Sequence, residues 1–247
     1  MLKYAILGIV QGLTEFFPVS SSGHLVILEK LFGITENQVA VSIVLHLGTV
    51  LALITFFYKD ILKLFSNMRL LLLIIVVTFI TGVIGVAGKD FFENLFVSTK
   101  AVALGLIFTG IILILTKKFM QAKRDNLNFK DAVILGLTQG IAIIPGVSRS
   151  GITISTLLFR GIDRETSFRF SFLVSIPAVF GAVLLEARKI IPACSIEIKN
   201  YAVGFIFSFL AGVFALWILK LILKKAKFYY FGYYCIIIAA IIILFKI

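Results

Sequence analysis

A polar stretch near the start of the chain, residues 11–24, carries the side chains best suited to acid–base chemistry. It contains an amide, a carboxylate, three hydroxyls and an imidazole, namely Gln11, Glu15, Ser20, Ser21, Ser22 and His24. A carboxylate and an imidazole can accept and return protons near neutral pH. Hydroxyls and backbone amides at the start of a helix attract anions. Glu15, Ser21 and His24 are therefore candidate catalytic residues. Gln11, Ser20 and Ser22 are candidate residues for binding an anionic substrate.

A second polar stretch, residues 145–153, supplies a guanidinium in mid-chain. Arg149 lies between Ser148 and Ser150 and is followed by Gly151. A planar guanidinium suits bidentate binding of phosphate, and an arginine inside apolar sequence needs an anionic partner. That partner is either a bound phosphate or, in a purely structural ion pair, Glu15. We predict that Arg149 stabilises charge on a phosphate group and that the two serines bind it.

The two polar stretches belong to an internal repeat with a period of 128 residues. Gly8, Gln11, Gly12, Ser20, Ser22 and Gly23 recur as Gly136, Gln139, Gly140, Ser148, Ser150 and Gly151. Where the copies differ, they differ in chemistry: Glu15 and His24 have isoleucine counterparts, whereas Arg149 corresponds to Ser21. One copy carries the acid and the imidazole, and the other carries the guanidinium. We expect the two copies to meet in one composite site.

The composition indicates that this site lies in a lipid bilayer. Hydrophobic residues make up 60% of the chain, charged residues only 15%, and the mean hydropathy is +1.10. A soluble core needs far less apolar surface, so we predict an all-α integral membrane protein with a single membrane domain over residues 1–247. Six windows are long and apolar enough to cross the hydrocarbon, at about 39–57, 70–88, 101–116, 168–185, 201–223 and 229–245.

The segments that carry the polar stretches are too short and too interrupted to cross the membrane singly. They pair as about 2–17 with 24–33 and about 131–144 with 151–159. Non-helical backbone is tolerated at membrane depth only where protein or water satisfies it. We therefore expect each pair to form a re-entrant helical hairpin.

Basic residues indicate the topology, because short cytoplasmic loops collect Lys and Arg. If the connection 117–130 is cytoplasmic, fifteen basic residues lie on that side and eight on the other. The first hairpin then enters from the outer face and the second from the cytoplasmic face. The halves 1–116 and 131–247 thus form an inverted-topology repeat. The net charge of +12 reflects loops near anionic headgroups and implies no nucleic acid partner.

Two kinds of protein fit these residues. An enzyme acting on a lipid-borne phosphate ester needs positioning and charge neutralisation, which this set of side chains supplies. A secondary transporter or flippase for an anionic lipid also builds anion sites from inverted repeats and broken helices. The pairing of His24 with Ser21 favours the enzyme, because a carrier of anions has little use for a proton-transfer group there.

Both polar stretches resemble the signatures of the undecaprenyl-diphosphate phosphatase family. Gln11-Gly12-Leu13-Thr14-Glu15 is similar to the family's Glu/Gln-x-x-x-Glu motif. Residues 145–153, which read Pro-Gly-Val-Ser-Arg-Ser-Gly-Ile-Thr, are similar to its Pro-Gly-x-Ser-Arg-Ser-x-x-Thr motif. The segments 46–49 and 168–177 also resemble stretches typical of that family. Length, spacing and hydropathy agree, so the likeness covers essentially the whole chain.

The resemblance implies hydrolysis of undecaprenyl diphosphate to undecaprenyl phosphate and inorganic phosphate at the outer, periplasmic face of the bacterial inner membrane. This reaction recycles the carrier lipid for peptidoglycan and cell-wall synthesis, and overproduction of the enzyme is associated with bacitracin resistance. The implied partners are a polyprenyl diphosphate and the lipid bilayer. The oligomeric state stays open, with a homodimer as one alternative.

The resemblance also implies a divalent cation, magnesium or calcium, and roles for particular residues. Glu15 with Gln11 matches the positions linked to metal binding or acid–base work. His24 and Ser21 match the proposed base and nucleophile, although whether one of them or a water attacks stays open. The diphosphate-binding positions correspond to Ser148, Arg149, Ser150 and Thr153.

Gln11 occupies a position where a second carboxylate would be a better metal ligand. We therefore expect Glu15, substrate phosphates and waters to hold the cation, so that metal binds only together with substrate. His46, inside the predicted span 39–57, is expected to have a packing or hydrogen-bonding role.

Overall fold

The computed structural model describes residues 1–33, 38–96, 98–186 and 198–245. In these ranges the chain is all-α, as predicted from its composition. The α-helices, numbered in chain order, are α1 (Leu2–Phe16), α2 (Ser21–Phe32), α3 (Gln38–Phe56), α4 (Tyr58–Leu64), α5 (Met68–Ala87), α6 (Lys89–Phe96), α7 (Thr99–Leu115), α8 (Phe129–Ile141), α9 (Arg149–Phe159), α10 (Arg164–Glu186), α11 (Ile198–Lys224) and α12 (Tyr230–Phe245). A 3-10 turn, Thr116–Phe119, extends α7.

Within the described ranges, five helices are long and apolar enough to cross a membrane, which makes the chain a multi-pass membrane protein. Their spans are Val39–Phe56, Met68–Ala87, Thr99–Phe119, Arg164–Leu184 and Ile198–Lys224. Each coincides with one of the predicted windows. The sixth window, 229–245, is also helical, but α12 is a shorter apolar helix of 16 residues. At 1.5 Å per residue it is about 24 Å long, somewhat less than the usual hydrocarbon thickness of about 30 Å.

The two polar stretches fall between paired short helices, close to the predicted boundaries. Helix α1 is followed by α2, and α8 is followed by α9, and within each pair the helices contact one another. The helix α9 begins with an N-cap, because the Ser148 side chain accepts a hydrogen bond from the Gly151 amide at 3.2 Å. The polar residues therefore lie where helices end and begin, which is where backbone donors remain free for an anion.

Glycines allow α1 to approach α11 closely. A Cβ added to Gly12 would lie 2.5 Å from the Ser208 carbonyl oxygen and 2.7 Å from the Gly212 amide. Gly8 faces Gly204 in the same way, one helical turn earlier. Such small-residue faces let backbones pack in membranes, where apolar burial alone drives no association. Gly8 and Gly12 thus form a packing face of α1.

The corresponding helix of the second half, α8, packs against α5. A Cβ on Gly136 would lie 2.9 Å from the Ile80 side chain, and Gly140 faces Ile84. Helix α12 likewise packs against α7, where a Cβ on Gly110 would lie 2.8 Å from a carbonyl oxygen of α12. Close helix packing therefore recurs in both halves and holds the polar loops in fixed positions.

A buried carboxylate anchors the connection between the halves. Asp131 is fully buried and accepts hydrogen bonds from Arg124 at 2.8 Å and from Arg160 at 2.9 Å. It also forms a capping box with Asn128 at the start of α8. Two of the arginines that contribute to the charge bias therefore share one carboxylate within the protein.

Candidate active site

The two polar loops, far apart in sequence, touch each other in the fold. A Cβ added to Gly151 would lie 3.2 Å from the Pro18 side chain. The second loop also packs on α7, since a Cβ on Gly105 would lie 2.8 Å from the Gly146 carbonyl carbon. Because the two loops are in contact, the residues near Pro18 and Gly151 lie close together.

Glu15 lies where the two loops meet and accepts hydrogen bonds from both halves of the chain. Arg149 Nη2 donates to Glu15 Oε1 in an ion pair. Ser21 Oγ donates to Oε2 at 2.7 Å, and Gln11 Nε2 donates to the same oxygen at 3.2 Å. The side chain of Glu15 is 8% exposed and that of Arg149 is 15% exposed. A carboxylate at such depth is costly unless paired, and here it is paired with the guanidinium of the other half.

Local helix geometry explains why these side chains converge. Gln11 and Glu15 lie one turn apart on α1, so both point to the same face. Ser21 is the first residue of α2, and Arg149 is the first residue of α9. Glu15, Ser21 and Arg149 therefore lie at or next to helix termini, and Gln11 lies one turn before Glu15 on α1. The fold thus brings together four of the predicted site residues, namely Gln11, Glu15, Ser21 and Arg149.

Arg149 keeps donors free after it has paired with Glu15. Its Nη1 atom is buried and has no hydrogen-bond partner among the described residues. A buried guanidinium N–H without an acceptor costs free energy, and phosphate oxygens are the acceptors that suit it best. Nη1 is thus a donor that an anionic ligand beside the ion pair could satisfy.

His46, which the sequence analysis assigned to packing or hydrogen bonding, lies next to Glu15. Its Nε2 is 3.7 Å from Glu15 Oε2, while its Nδ1 is 2.8 Å from the Ser42 carbonyl oxygen. The hydrogen-bonding role was therefore predicted, but the proximity to the carboxylate was not. Its position on a separate helix, α3, gives no sequence signal that links it to Glu15.

His24, a predicted catalytic residue, forms its hydrogen bonds with residues other than Ser21 and Glu15. Its Nδ1 is 2.8 Å from the Ser20 carbonyl oxygen, and its Nε2 is 2.8 Å from the Tyr234 hydroxyl. The two rings are nearly parallel, with centroids 5.9 Å apart. Both ring nitrogens are thus engaged, and Tyr234 is a neighbour that the sequence analysis missed.

The serines of the two loops form matching pairs. Ser20 and Ser22 hydroxyls lie 3.2 Å apart, and those of Ser148 and Ser150 lie 3.3 Å apart. Ser20 has a φ of 66°, a left-handed conformation that a non-glycine residue adopts only when its surroundings enforce it. The four hydroxyls predicted to bind an anion therefore form two matching pairs, one in each half.

Thr153, which is predicted to bind the diphosphate, makes its hydrogen bonds within the protein. Its hydroxyl is fully buried, 2.8 Å from the Arg149 carbonyl oxygen and 2.6 Å from the Ser171 hydroxyl. Thr109 similarly supports the second loop, because its hydroxyl accepts a hydrogen bond from the Ser148 amide. These contacts support the turn that presents Arg149, and neither Ser171 nor Thr109 was recognised from the sequence.

The family of the chain follows from a match over nearly its whole length. The model of the family described as bacitracin resistance protein BacA matches residues 4–241. The chain belongs to this family. Its BacA-family relatives include an undecaprenyl-diphosphatase of Carboxydothermus hydrogenoformans, 44% identical over 96% of this chain and 94% of the relative. Undecaprenyl-diphosphatases of Halothermothrix orenii and Thermotoga petrophila are 41% and 39% identical and cover at least 95% of this chain.

The oxygen atoms around Glu15 fit a divalent cation only if a ligand supplies the rest of its coordination. Within the described residues, no group of three His, Cys, Asp or Glu side chains could hold a metal ion. Gln11 Oε1, however, is buried without a hydrogen-bond partner, one helical turn from Glu15. Carboxylate and amide oxygens are ligands that magnesium and calcium accept. In this BacA-family chain, Glu15 and Gln11 could therefore hold a cation jointly with phosphate oxygens.

Proposed function

We propose that the chain hydrolyses undecaprenyl diphosphate to undecaprenyl phosphate and inorganic phosphate. One observation carries this proposal: the buried Arg149 guanidinium, with an unpartnered Nη1, lies beside a carboxylate that already holds a serine hydroxyl. This combination offers charge neutralisation and a positioned nucleophile in one place. The names of the relatives, all undecaprenyl-diphosphatases, support the same substrate.

In this proposal the terminal phosphoryl group binds between Arg149 and the serines of both loops. The guanidinium donates to the oxygens on which negative charge builds as the bond to the bridging oxygen breaks. The products are inorganic phosphate and undecaprenyl phosphate, whose new terminal oxygen carries the electrons of the broken bond. The serine pairs, Ser20 with Ser22 and Ser148 with Ser150, orient the diphosphate by hydrogen bonds.

The contacts favour Ser21 over His24 as the attacking group. Ser21 Oγ donates to Glu15 Oε2 at 2.7 Å, so its proton has an acceptor in place. Attack by this oxygen on phosphorus would transfer the proton to Glu15, and a water would then release phosphate and restore the serine. A water held at the same carboxylate could perform the reaction in one step. Both routes use Glu15 as the base.

We also propose that magnesium or calcium binds together with the substrate, held by Glu15, Gln11 and the diphosphate. The cation would neutralise part of the diphosphate charge when bound. Gln11 supports this assignment because its side-chain amide contacts Glu15 through Nε2 while its carbonyl oxygen is buried and without a hydrogen-bond partner among the described residues. Glu15 and Gln11 would then also orient the diphosphate with respect to Ser21.

We further propose that the halves form an inverted-topology repeat with two re-entrant hairpins, α1–α2 and α8–α9. A shift of 128 residues maps α5 onto α11 and α7 onto α12. Helix α1 packs against α11, and its counterpart α8 packs against α5, so the first helix of each hairpin contacts a long helix of the opposite half. This exchange is what a two-fold relation between the halves produces. With the loop 117–130 in the cytoplasm, the first hairpin opens to the periplasmic side of the bacterial inner membrane.

Phosphate release from undecaprenyl diphosphate by purified protein in detergent with magnesium tests the function directly. The wild-type chain is expected to release phosphate, and Arg149→Ala is expected to lose activity by at least about 10²-fold to 10³-fold. The control is Arg69→Lys. Arg69 lies on α5, far from Glu15 in sequence, and the substitution keeps the positive charge, so this variant should retain activity. A folded wild-type protein that releases no phosphate would favour a lipid carrier instead.

A further inference from the structure

The hydrogen bonds of His24 fix where its proton lies. A carbonyl oxygen can only accept, so the 2.8 Å contact between Nδ1 and the Ser20 carbonyl oxygen requires a proton on Nδ1. In the neutral ring the other nitrogen is then an acceptor. The Tyr234 hydroxyl, 2.8 Å from Nε2, is a donor that satisfies it. The pattern therefore specifies one tautomer, with Tyr234 donating to Nε2.

This pair of hydrogen bonds connects the last helix of the chain to the loop that carries the candidate nucleophile. Tyr234 lies on α12, whereas Ser20 directly precedes Ser21. Ser20 is buried and has the left-handed φ of 66°, so its carbonyl orientation depends on the contacts that hold it. His24 supplies one of these contacts, and the orientation of His24 in turn depends on Tyr234.

The neighbouring residue on α12 contacts the same loop independently. Cys235 Sγ lies 3.4 Å from the Pro18 carbonyl oxygen and is fully buried. Two consecutive residues of α12 therefore meet the loop 18–20, one through sulfur and the other through the imidazole. The ring of Tyr234 is 40% exposed, so loss of its hydroxyl would open no cavity in the core.

We propose that Tyr234 is a positioning residue for the catalytic loop. Its hydroxyl holds the His24 ring as the Nδ1-protonated tautomer, and the ring holds the Ser20 carbonyl so that Ser21 stays on Glu15. Tyr234 acts through His24 and does not itself touch the reacting atoms. The activity tests of this assignment rest on the proposed hydrolysis, whereas the spectroscopic test does not.

Tyr234→Phe isolates the hydroxyl, and the adjacent Tyr233→Phe is a matched control. Tyr233 lies on the same helix and its ring contacts Tyr230 rather than the loop. Loss of one positioning hydrogen bond is expected to lower kcat about tenfold in Tyr234→Phe, with KM nearly unchanged. Tyr233→Phe should match the wild type. Equal kcat values for the two variants would refute the assignment.

A double-mutant cycle separates action through His24 from a general effect on packing. If Tyr234 acts only through the imidazole, Tyr234→Phe should cause no further loss when introduced into His24→Ala. Independent, multiplying losses would show that Tyr234 acts elsewhere. If wild-type protein releases no phosphate at all, the proposed function fails, and the spectroscopic result alone decides the present inference.

Nitrogen-15 NMR of histidine-labelled protein reads the tautomer without any activity. The chain has only two histidines, so in the His46→Gln variant the only histidine signals come from His24. We expect a protonated Nδ1 and an acceptor Nε2 whose resonance moves to the position of an unbonded nitrogen in Tyr234→Phe but not in Tyr233→Phe. A proton on Nε2 in the wild type, or an Nε2 resonance that Tyr234→Phe leaves unchanged, would overturn the proposal.

Discussion

At the scale of single residues, the carboxylate of Glu15 determines what the site can do. It accepts hydrogen bonds from a serine hydroxyl, an amide and a guanidinium, and these three donors come from both halves of the chain. None of the three would hold a carboxylate at this depth equally well alone, because burial penalises an unpaired charge far more than a neutral group. The same arrangement that makes Glu15 tolerable also places a hydroxyl against it.

Ser21 and Ser22 are adjacent and chemically identical, yet only one of them contacts Glu15. Ser21 Oγ donates to the carboxylate, whereas Ser22 Oγ pairs with Ser20. We expect Ser21→Ala to lower kcat by about 10²-fold or more, because the positioned nucleophile or its hydrogen bond is lost. Ser22→Ala should lose much less and mainly raise KM. Steady-state phosphate release measures both, and a larger kcat defect in Ser22→Ala would contradict the assignment of roles.

Within the two repeated stretches the sequence singled out side chains that the structure brings together, and outside those stretches it did not. Glu15, Ser21 and Arg149 could be found because charged and hydroxyl side chains are conspicuous in apolar helices. His46 and Tyr234 could not be linked to the site, since their partners are chosen by helix packing over long sequence separations. For His24, the residue type suggested a pairing with Ser21, whereas in the structure the imidazole is hydrogen-bonded to the Ser20 carbonyl oxygen and the Tyr234 hydroxyl.

At the scale of helices, the glycines of α1 set the depth and tilt at which Glu15 is presented. A methyl group on Gly12 would meet the backbone of α11, which cannot move aside as a flexible side chain can. Gly12→Ala is therefore expected to destabilise the protein by about 1–3 kcal/mol and to reduce activity. Thermal unfolding in detergent, together with phosphate release, measures both effects.

Gly82 on α5 is the matched control for this substitution. It is also a helical glycine, but a Cβ there would find no atom within 4 Å. Gly82→Ala should be neutral or slightly stabilising, because alanine has the better helix propensity by about 1 kcal/mol. If both variants were equally destabilised, the close contact between α1 and α11 would not be the cause.

The sequence predicted the long helices well because hydropathy alone determines them. All six predicted windows coincide with helices, and the paired short helices flank the polar stretches as expected. The short helices α4 and α6 were not predicted, because seven or eight residues give too little periodicity to recognise. Their existence depends on the ends of the neighbouring long helices.

At the scale of the whole molecule, Asp131 ties the connection between the halves to α8 and α9. Burial alone would raise the pKa of the Asp131 carboxyl, but hydrogen bonds from Arg124, Asn128 and Arg160 lower that pKa below its ordinary value. The charged form therefore stabilises the folded state at any pH above the unfolded pKa of about 3.9, and this contribution is lost as acidification protonates the folded carboxyl.

Replacement of Asp131 tests this contribution. Asp131→Asn should destabilise the protein at neutral pH by about 3–5 kcal/mol, since two arginines lose their buried partner. It should also remove part of the stability loss that the wild type shows below about pH 4. Unfolding of both proteins across the acid range measures the difference, and parallel pH curves would show that Asp131 makes no such contribution.

The proposed orientation makes a separate prediction about accessibility. In a cysteine-free background, Gln121→Cys probes the connection 117–130 and Asp90→Cys probes the opposite end of α5, both at exposed positions. A maleimide that cannot cross membranes should label Asp90→Cys from outside intact cells and should label Gln121→Cys only after lysis. The reverse pattern would invert the topology and place the first hairpin on the cytoplasmic side.

The ion pair between Glu15 and Arg149 has a consequence for biogenesis. While the ribosome is still making the first hundred or so residues, Glu15 enters the membrane with no guanidinium to meet it. An unpaired carboxylate there costs about 2.5–3.5 kcal/mol on insertion scales, so the N-terminal hairpin should stay shallow or loosely inserted until Arg149 emerges. Synthesis of the second half would then pull the first into its final depth, which makes a prematurely terminated chain a natural target for membrane proteases.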